Sequence, residues 1–379
     1  MKARQSVAAP APGAPAGSRR ICILQDQLRA GGSERTSQWL ARELQGEECV
    51  THLLLFAHHR DAPPPVVPDW SALRTSLRWP EYFAPGLLRR LRRLRADVVI
   101  CMGRNANCYG FWIKRNLPRV RLVTTYRTNR HLPWFYRKSI FLSDLCLTNS
   151  HWAGDELGRM LPGRASGLVA TIPNALIREH VFSLERDEAA RAAARRRLDL
   201  PERRMIGLNT SHFVPGKNQA ALLQWLNEAR RKEPQWLLLL AGEGPERVKC
   251  QQLAQQLGLG DHVRFLGCVE AVEPLLQAAD LYLSTSLREG LPNALVEAQA
   301  AGLPVVTFNT AGSRETLANG KSGYVTPVAD MDAFAAAVEE LRTNPSKRSA
   351  FSAYAREFAQ EHFDPAGIRA KYCGLLRNL

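Results

Sequence analysis

Along residues 20–308, short β-rich runs alternate with amphipathic helical stretches, and this alternation restricts the fold more than any other feature. In the first half the runs are residues 20–24, 50–56, 97–102, 121–125, 145–149 and 168–172. In the second they are 205–209, 236–241, 263–266, 281–284 and 305–308. Strands joined by helical crossovers run parallel, and a parallel strand covered on both faces reads as an unbroken apolar run. The pattern predicts an α/β protein with two consecutive Rossmann-like parallel-sheet domains. The rhythm breaks near Pro173-Asn174 and resumes after a charged helical segment at 186–197.

With 379 residues there is enough chain for two cores. The expected division is a disordered Ala/Pro/Gly-rich tail at 1–18, one domain at 19–175, a second at 186–360, and a C-terminal helix at 361–379. No apolar run approaches the ~20 residues of a membrane-spanning helix. The eight cysteines are scattered and show no metal-ligand spacing, which predicts reduced core thiols and a cytoplasmic location. The net charge of +15 is uneven. Residues 1–180 hold 27 Lys/Arg against 13 Asp/Glu, a net of +14, and the remainder hold 24 against 23, a net of +1. The first half therefore faces something anionic, or its charge serves solubility alone.

Ligands of such sheets bind beyond the carboxyl ends of the strands. Four post-strand segments carry candidate chemistry. Arg29-Ala30-Gly31-Gly32-Ser33-Glu34-Arg35 precedes a helix, and its glycines serve either a close ligand approach or a turn. In the segment His212 to Asn218, Lys217 is expected in the first turn of the next helix. A cation is unfavourable there unless an anion such as phosphate offsets it. Gly242-Glu243-Gly244-Pro245 makes a tight strand-to-helix turn. The fourth segment, from Arg288 to Val306, holds Glu289 and Glu297 on either side of a helix start. Pro292 suits the first helical position, and the helix is expected at 293–302. The amides of Leu291, Pro292's neighbour Gly290 and Asn293 would form an anion site. Glu289 could accept hydrogen bonds from a polyol, and Glu297 could hold a vicinal diol. A nucleotide sugar has sugar hydroxyls, diphosphate and ribose diol in that order.

Glu289-Gly290-Leu291-Pro292-Asn293-x-x-x-Glu297, with Gly302-x-Pro304 behind it, resembles the E-x7-E motif of retaining glycosyltransferases of family 4, bacterial surface-polysaccharide and lipopolysaccharide type, which have the GT-B fold. Gly31-Gly32-Ser33-Glu34-Arg35 is similar to their GGxER loop. Phe265-Leu266-Gly267, Ala279-Asp280-Leu281-Tyr282-Leu283-Ser284 and Asn309 to Glu315 also match. The resemblance implies that Glu289 meets hydroxyls of the transferred sugar and Glu297 holds the ribose. Gly290, Leu291, Pro292 and Asn293 would meet the diphosphate or the sugar. Lys217 would neutralise diphosphate charge, and Gly32 would approach it from the opposite domain. Gly244 and Val269 would line the base pocket, and the last helix would cross back to the first domain.

Two departures from the family pattern stand out. His212 occupies the place of an arginine that usually precedes the lysine, so it joins Lys217 and Glu289 as a catalytic candidate. After the strand at 121–125, Arg127 or His131 stands where many members have a histidine. The nucleotide sugar, a UDP-sugar by the GGxER resemblance, is a substrate, so no cofactor is expected. No Asp-x-Asp stands where it could hold a metal, so metal independence is expected. The acceptor would be a lipid-linked saccharide or lipopolysaccharide at an anionic membrane, with the protein peripheral on its inner face. The basic helix at 87–95, with Leu87, Leu91 and Leu94 on one side, either lies on that membrane or packs on the sheet. Tyr82, Phe83, Trp112, Trp134 and Phe135 are further aromatic candidates near basic residues. A GT-B nucleotide-sugar epimerase would need no acceptor. A nucleic-acid-binding protein would leave the glutamate pair unexplained, and no nucleic-acid module is present.

Overall fold

The computed structural model describes residues 17–28, 32–46, 48–58, 62–74, 84–127, 132–161, 169–175 and 179–379. Most of the expected tail, Gly31, Tyr82, Phe83 and His131 lie outside the described residues. The first sheet holds β1 (Arg19–Gln25), β2 (Cys49–Ala57), β3 (Trp70–Arg74), β4 (Val98–Cys101), β5 (Arg121–Tyr126), β6 (Leu145–Thr148) and β7 (Val169–Thr171). Its spatial order is β3-β2-β1-β4-β5-β6-β7. The second holds β8 (Met205–Thr210), β9 (Trp236–Ala241), β10 (Val263–Gly267), β11 (Leu281–Ser284), β12 (Val305–Phe308) and β13 (Gly323–Thr326), in the order β10-β9-β8-β11-β12-β13. The pairings in both sheets are parallel, for example Cys22 beside His52 and Leu208 beside Leu239. The central strands are sealed on both faces. In β9 all of Trp236–Ala241 is buried.

Each sheet thus has a topological switch point, between β1 and β4 in the first and between β8 and β11 in the second. Sequence periodicity misses β3 and β13. Both are edge strands, and β3 is only half-buried along its length, so neither carries a continuous apolar run.

The helix Leu87–Leu94 packs on the sheet, which is the second of the two readings of this segment. Leu87 and Leu91 are buried in the core formed with Cys22, Leu24, Leu54 and Phe56, while Arg89, Arg92 and Arg93 face outward. Its apolar side is therefore already covered. At the other end of the chain, helix Pro345–Phe363 packs on the second domain through Ala359 and Phe363. Asp364 then turns the chain. Its backbone is non-helical, as the residue before Pro365 requires, and its carboxylate accepts from the Gly367 amide at 2.8 Å. The last helix, Pro365–Arg377, places Ile368, Tyr372 and Leu376 in the core of the first domain beside Trp39 and Leu53. Arg369 Nε donates to the Glu43 carbonyl at 2.7 Å, and Arg377 pairs with Glu48.

Candidate active site

The two switch points differ in what their helix N-termini meet. In the first domain, the helix Arg104–Asn116 begins just after β4. The Asp26 carboxylate accepts from the Asn105 and Ala106 amides at 2.9 and 2.7 Å. An internal anion thus fills that anion site. In the second domain, the helix Asn293–Ala300 follows β11 with no side-chain cap and no acidic residue in its first turn. This end keeps its positive dipole for a ligand. Pro292 is the N-cap here rather than the first helical residue. Its carbonyl accepts from the Leu295 amide at 3.0 Å, and the helix ends two residues earlier than the spacing suggests.

Lys217 also departs from expectation. It ends a 3-10 turn, Pro215–Lys217, and Asn218 with φ 52° separates that turn from the helix Gln219–Lys232. The left-handed Asn218 stops the helix from extending back to Lys217. The loop is held against the glutamate segment: Leu287 N donates to the Gly216 carbonyl at 2.8 Å, and Thr285 Oγ1 to the Asn218 carbonyl at 2.8 Å. The result brings together two residues far apart in sequence, with Lys217 Nζ donating to Glu289 Oε1. Both side chains are largely buried, 24% and 15% exposed, so this pair is better shielded than a surface ion pair.

These groups line one cleft of about 390 Å³ between the two sheets. From the second domain it takes His212, Lys217, Glu289, Gly290, Leu291, Pro292, Asn293 and Glu297. At its far end Ala241, Gly242, Cys268, Val269 and Val272 make a slot at the tips of β9 and β10. Gly244 is not in the lining. Its φ of 151° and its packing against the Phe213 backbone, where a Cβ would come within 2.3 Å of the carbonyl oxygen, give it a structural task behind the slot. Burial pushes the Tyr282 hydroxyl up. Its hydrogen bonds with Thr210 oppose this, and the nearby Glu297 and Glu289 carboxylates add to the rise.

The first domain supplies Gly32, Ser33, Arg35, Arg127, Asn149 and Asn174. A Cβ on Gly32 would lie 3.0 Å from Asn293 Nδ2, and one on Gly290 would lie 2.5 Å from the Arg127 carbonyl oxygen. Asn174 Nδ2 donates across the cleft to Asn293 Oδ1 at 2.8 Å. Sequence reasoning passed over Asn149, Asn174 and Arg35 as cleft residues. Asn149 follows β6 directly and Asn174 stands three positions after the end of β7, so the same post-strand rule reaches both. Arg127 Nε, Asn149 Oδ1 and Asn174 Oδ1 are buried without a hydrogen-bond partner, and all three residues line this wall. Buried polar groups in that state await a ligand or water. Among the described residues no cluster of His, Cys, Asp or Glu is placed to hold a metal ion.

Comparisons with known proteins agree with this architecture. The family described as Glycosyltransferase Family 4 matches residues 30–179, and that described as Glycosyl transferases group 1 matches residues 190–358. A GDP-mannose-dependent alpha-(1-6)-phosphatidylinositol monomannoside mannosyltransferase of Mycolicibacterium smegmatis is 34% identical over 186 residues, covering 47% of this chain and 48% of that protein. The lipopolysaccharide core biosynthesis glycosyltransferase LpsE of Rhizobium meliloti is 30% identical over 185 residues, 49% of this chain and 53% of its own. The matches span about half the length of these curated relatives. Among solved structures, Anabaena HepE in complex with UDP superposes with a TM-score of 0.79 at 19% identity, covering 95% of this chain and 100% of that one. This likeness is one of fold, two Rossmann-like domains facing each other.

Proposed function

Because the chain belongs to the family 4 glycosyltransferases, we propose that it moves a sugar from a nucleotide-sugar donor to a hydroxyl of a lipid-linked saccharide or lipopolysaccharide acceptor. The observation that carries this reading is the convergence of Lys217, Glu289, Glu297 and an uncapped helix N-terminus in one cleft. These are a cation, two carboxylates and a set of amides, the kinds of group that a diphosphate flanked by two polyols calls for.

In the proposed reaction the bond from the anomeric carbon to the diphosphate breaks, and the acceptor oxygen forms a bond to that carbon from the same face. The acceptor proton passes to the departing phosphate. Charge grows on the diphosphate as it leaves, so Lys217 and the amides at Asn293 stabilise the transition state more than the ground state. Donor binding must loosen the Lys217–Glu289 pair, freeing the lysine for phosphate and the carboxylate for sugar hydroxyls. His212, Arg35 and Arg127 border the same space and supply the further donors that a diphosphate needs. Glu297 takes the ribose, with the base in the slot at Cys268 and Val269. Asn149 and Asn174 orient the acceptor.

Retention and metal independence belong to this proposal. The donor base is proposed as uracil. Calorimetry with UDP, GDP, ADP and dTDP tests it, beside the Glu297→Ala variant. Tight UDP binding that is lost in the variant is expected. Preference for GDP would correct the base, and no nucleotide binding at all would remove the donor site.

A further inference from the structure

Two helices of the first domain, Arg104–Asn116 and Trp134–Leu142, pack side by side. Their spacing is pinned. The Phe111 amide donates to Ser139 Oγ at 2.6 Å, the Ser139 proton goes to the Phe135 carbonyl at 2.9 Å, and Gly110 faces Ser139 closely enough that a Cβ would lie 3.0 Å from it. On the outer side of this rigid pair, Trp112, Trp134, Phe135 and Phe141 are 43%, 58%, 41% and 46% exposed. Phe111 joins three of them, with ring centroids 5.1 Å from Trp112, 6.0 Å from Trp134 and 5.8 Å from Phe135. Single exposed apolar residues are ordinary, but a connected group of aromatics marks an interaction surface.

The charge around the group identifies the partner. Residues 98–142 hold nine Lys/Arg and no Asp or Glu, and Asp144 just beyond them is taken up by Lys114 and Arg121. Arg115, Arg137 and Lys138 are exposed on these same helices, with Lys138 Nζ 5.4 Å from the centre of the Trp134 ring. Aromatic rings interleaved with cations that carry no carboxylate partner on their own helices match an anionic lipid interface, where rings sit at headgroup depth and cations meet phosphates. The arginine-rich helix Leu87–Leu94 lacks this combination, because its leucines are spent on the core. Trp134 also lies seven residues after Arg127, at the end of the sheet that borders the cleft.

We propose that the outer face of these two helices seats the first domain on an anionic bilayer, with Trp112, Trp134, Phe135 and Phe141 entering the interface and Arg115, Arg137 and Lys138 meeting lipid phosphates. The proposal rests on the reading of a lipid-borne acceptor and assigns the surface from which it reaches the cleft.

The test is co-sedimentation of the full chain with phosphatidylcholine vesicles, with and without phosphatidylglycerol, at low salt. The wild type is expected to partition onto the phosphatidylglycerol vesicles. The Trp134→Ser/Phe135→Ser/Phe141→Ser variant should lose about a hundredfold or more in partitioning. Arg137→Glu/Lys138→Glu should lose about tenfold or more on anionic vesicles only. Nucleotide binding by calorimetry is expected to be unchanged in both variants, which shows that each is folded and keeps the vesicle result separate from the donor site. A wild type that ignores phosphatidylglycerol vesicles, or a triple variant that binds them as the wild type does, overturns the proposal. So does a wild-type dimer in sedimentation velocity that the triple variant dissolves, since the face then joins two copies of the chain.

Discussion

Lys217 and Glu289 show how much chemistry depends on a single residue contact. Each neutralises the other in a shielded setting, so removing one leaves the other's charge uncompensated. Lys217→Ala is expected to lower turnover by roughly a hundredfold or more, with a smaller change in donor affinity. Steady-state kinetics paired with nucleotide calorimetry separates the two effects, and near-normal turnover would remove the assigned role. Gly290 is sensitive for a different reason. A methyl group there meets the Arg127 carbonyl of the other domain. Gly290→Ala is therefore expected to leave each domain folded but hold them apart. Small-angle scattering should give a larger radius of gyration than wild type, and an unchanged radius would show that the loop yields instead.

At the scale of elements, buried ion pairs decide how helices attach to sheets. Asp280, at the start of β11, accepts from Arg195 and Arg191 at 2.7 Å each and from the Ile206 amide at 2.7 Å. It thereby ties the helix Glu188–Arg197 to β8. Asp280→Ala should cost about 3–5 kcal/mol by leaving the buried Arg195 unpaired. Chemical denaturation measures this, and a loss below 1 kcal/mol, roughly the worth of a surface pair, would contradict it. Asp144 plays a similar part in the first domain. Burial pushes its carboxyl up, but hydrogen bonds from Lys114, the Leu122 amide and Arg121 outweigh that and hold it below the ordinary value. A carboxyl whose folded pKa is depressed contributes fully above its unfolded value of about 3.9 and loses that contribution as pH falls through the folded one. Asp144→Asn should therefore destabilise the protein at neutral pH. The difference from wild type should shrink below about pH 4. A pH-independent difference would mean that the network acts through shape alone.

Across the whole molecule, the two domains are joined by more than the linker. The Glu315 carboxylate, from the second domain, accepts from the His151 and Trp152 amides at 2.7 and 2.9 Å. It caps the start of a helix in the first domain, where a negative charge is favoured. The last helix closes the same gap by placing Tyr372 against Trp39, with ring centroids 6.4 Å apart. Glu315→Ala removes the polar tie and keeps the apolar one. Its expected signature is faster amide exchange at His151 and Trp152 in hydrogen-exchange mass spectrometry, with the last helix still protected. Equal exchange in variant and wild type would show the tie to be incidental.

The sequence alone determined the two-sheet architecture and pointed to residues that the structure brings into one cleft. Unbroken apolar runs between helical stretches leave a parallel sheet little alternative, and glycines, prolines and carboxylates after strands mark the ligand end. Its local signals also named Glu289, Glu297 and Lys217. Edge strands β3 and β13 escaped because half-burial erases the apolar run. The direction in which the leucines of helix Leu87–Leu94 point could not be read, because an amphipathic helix suits a sheet face and a lipid surface equally well. Only the tertiary structure decided that Lys217 faces Glu289, that Asp26 fills one helix N-terminus while Asn293 heads an uncapped one, and that Asn149, Asn174 and Arg127 form the opposite wall. Those relations join residues tens to hundreds of positions apart. They depend on how two sheets and a returning helix pack, which no local periodicity encodes.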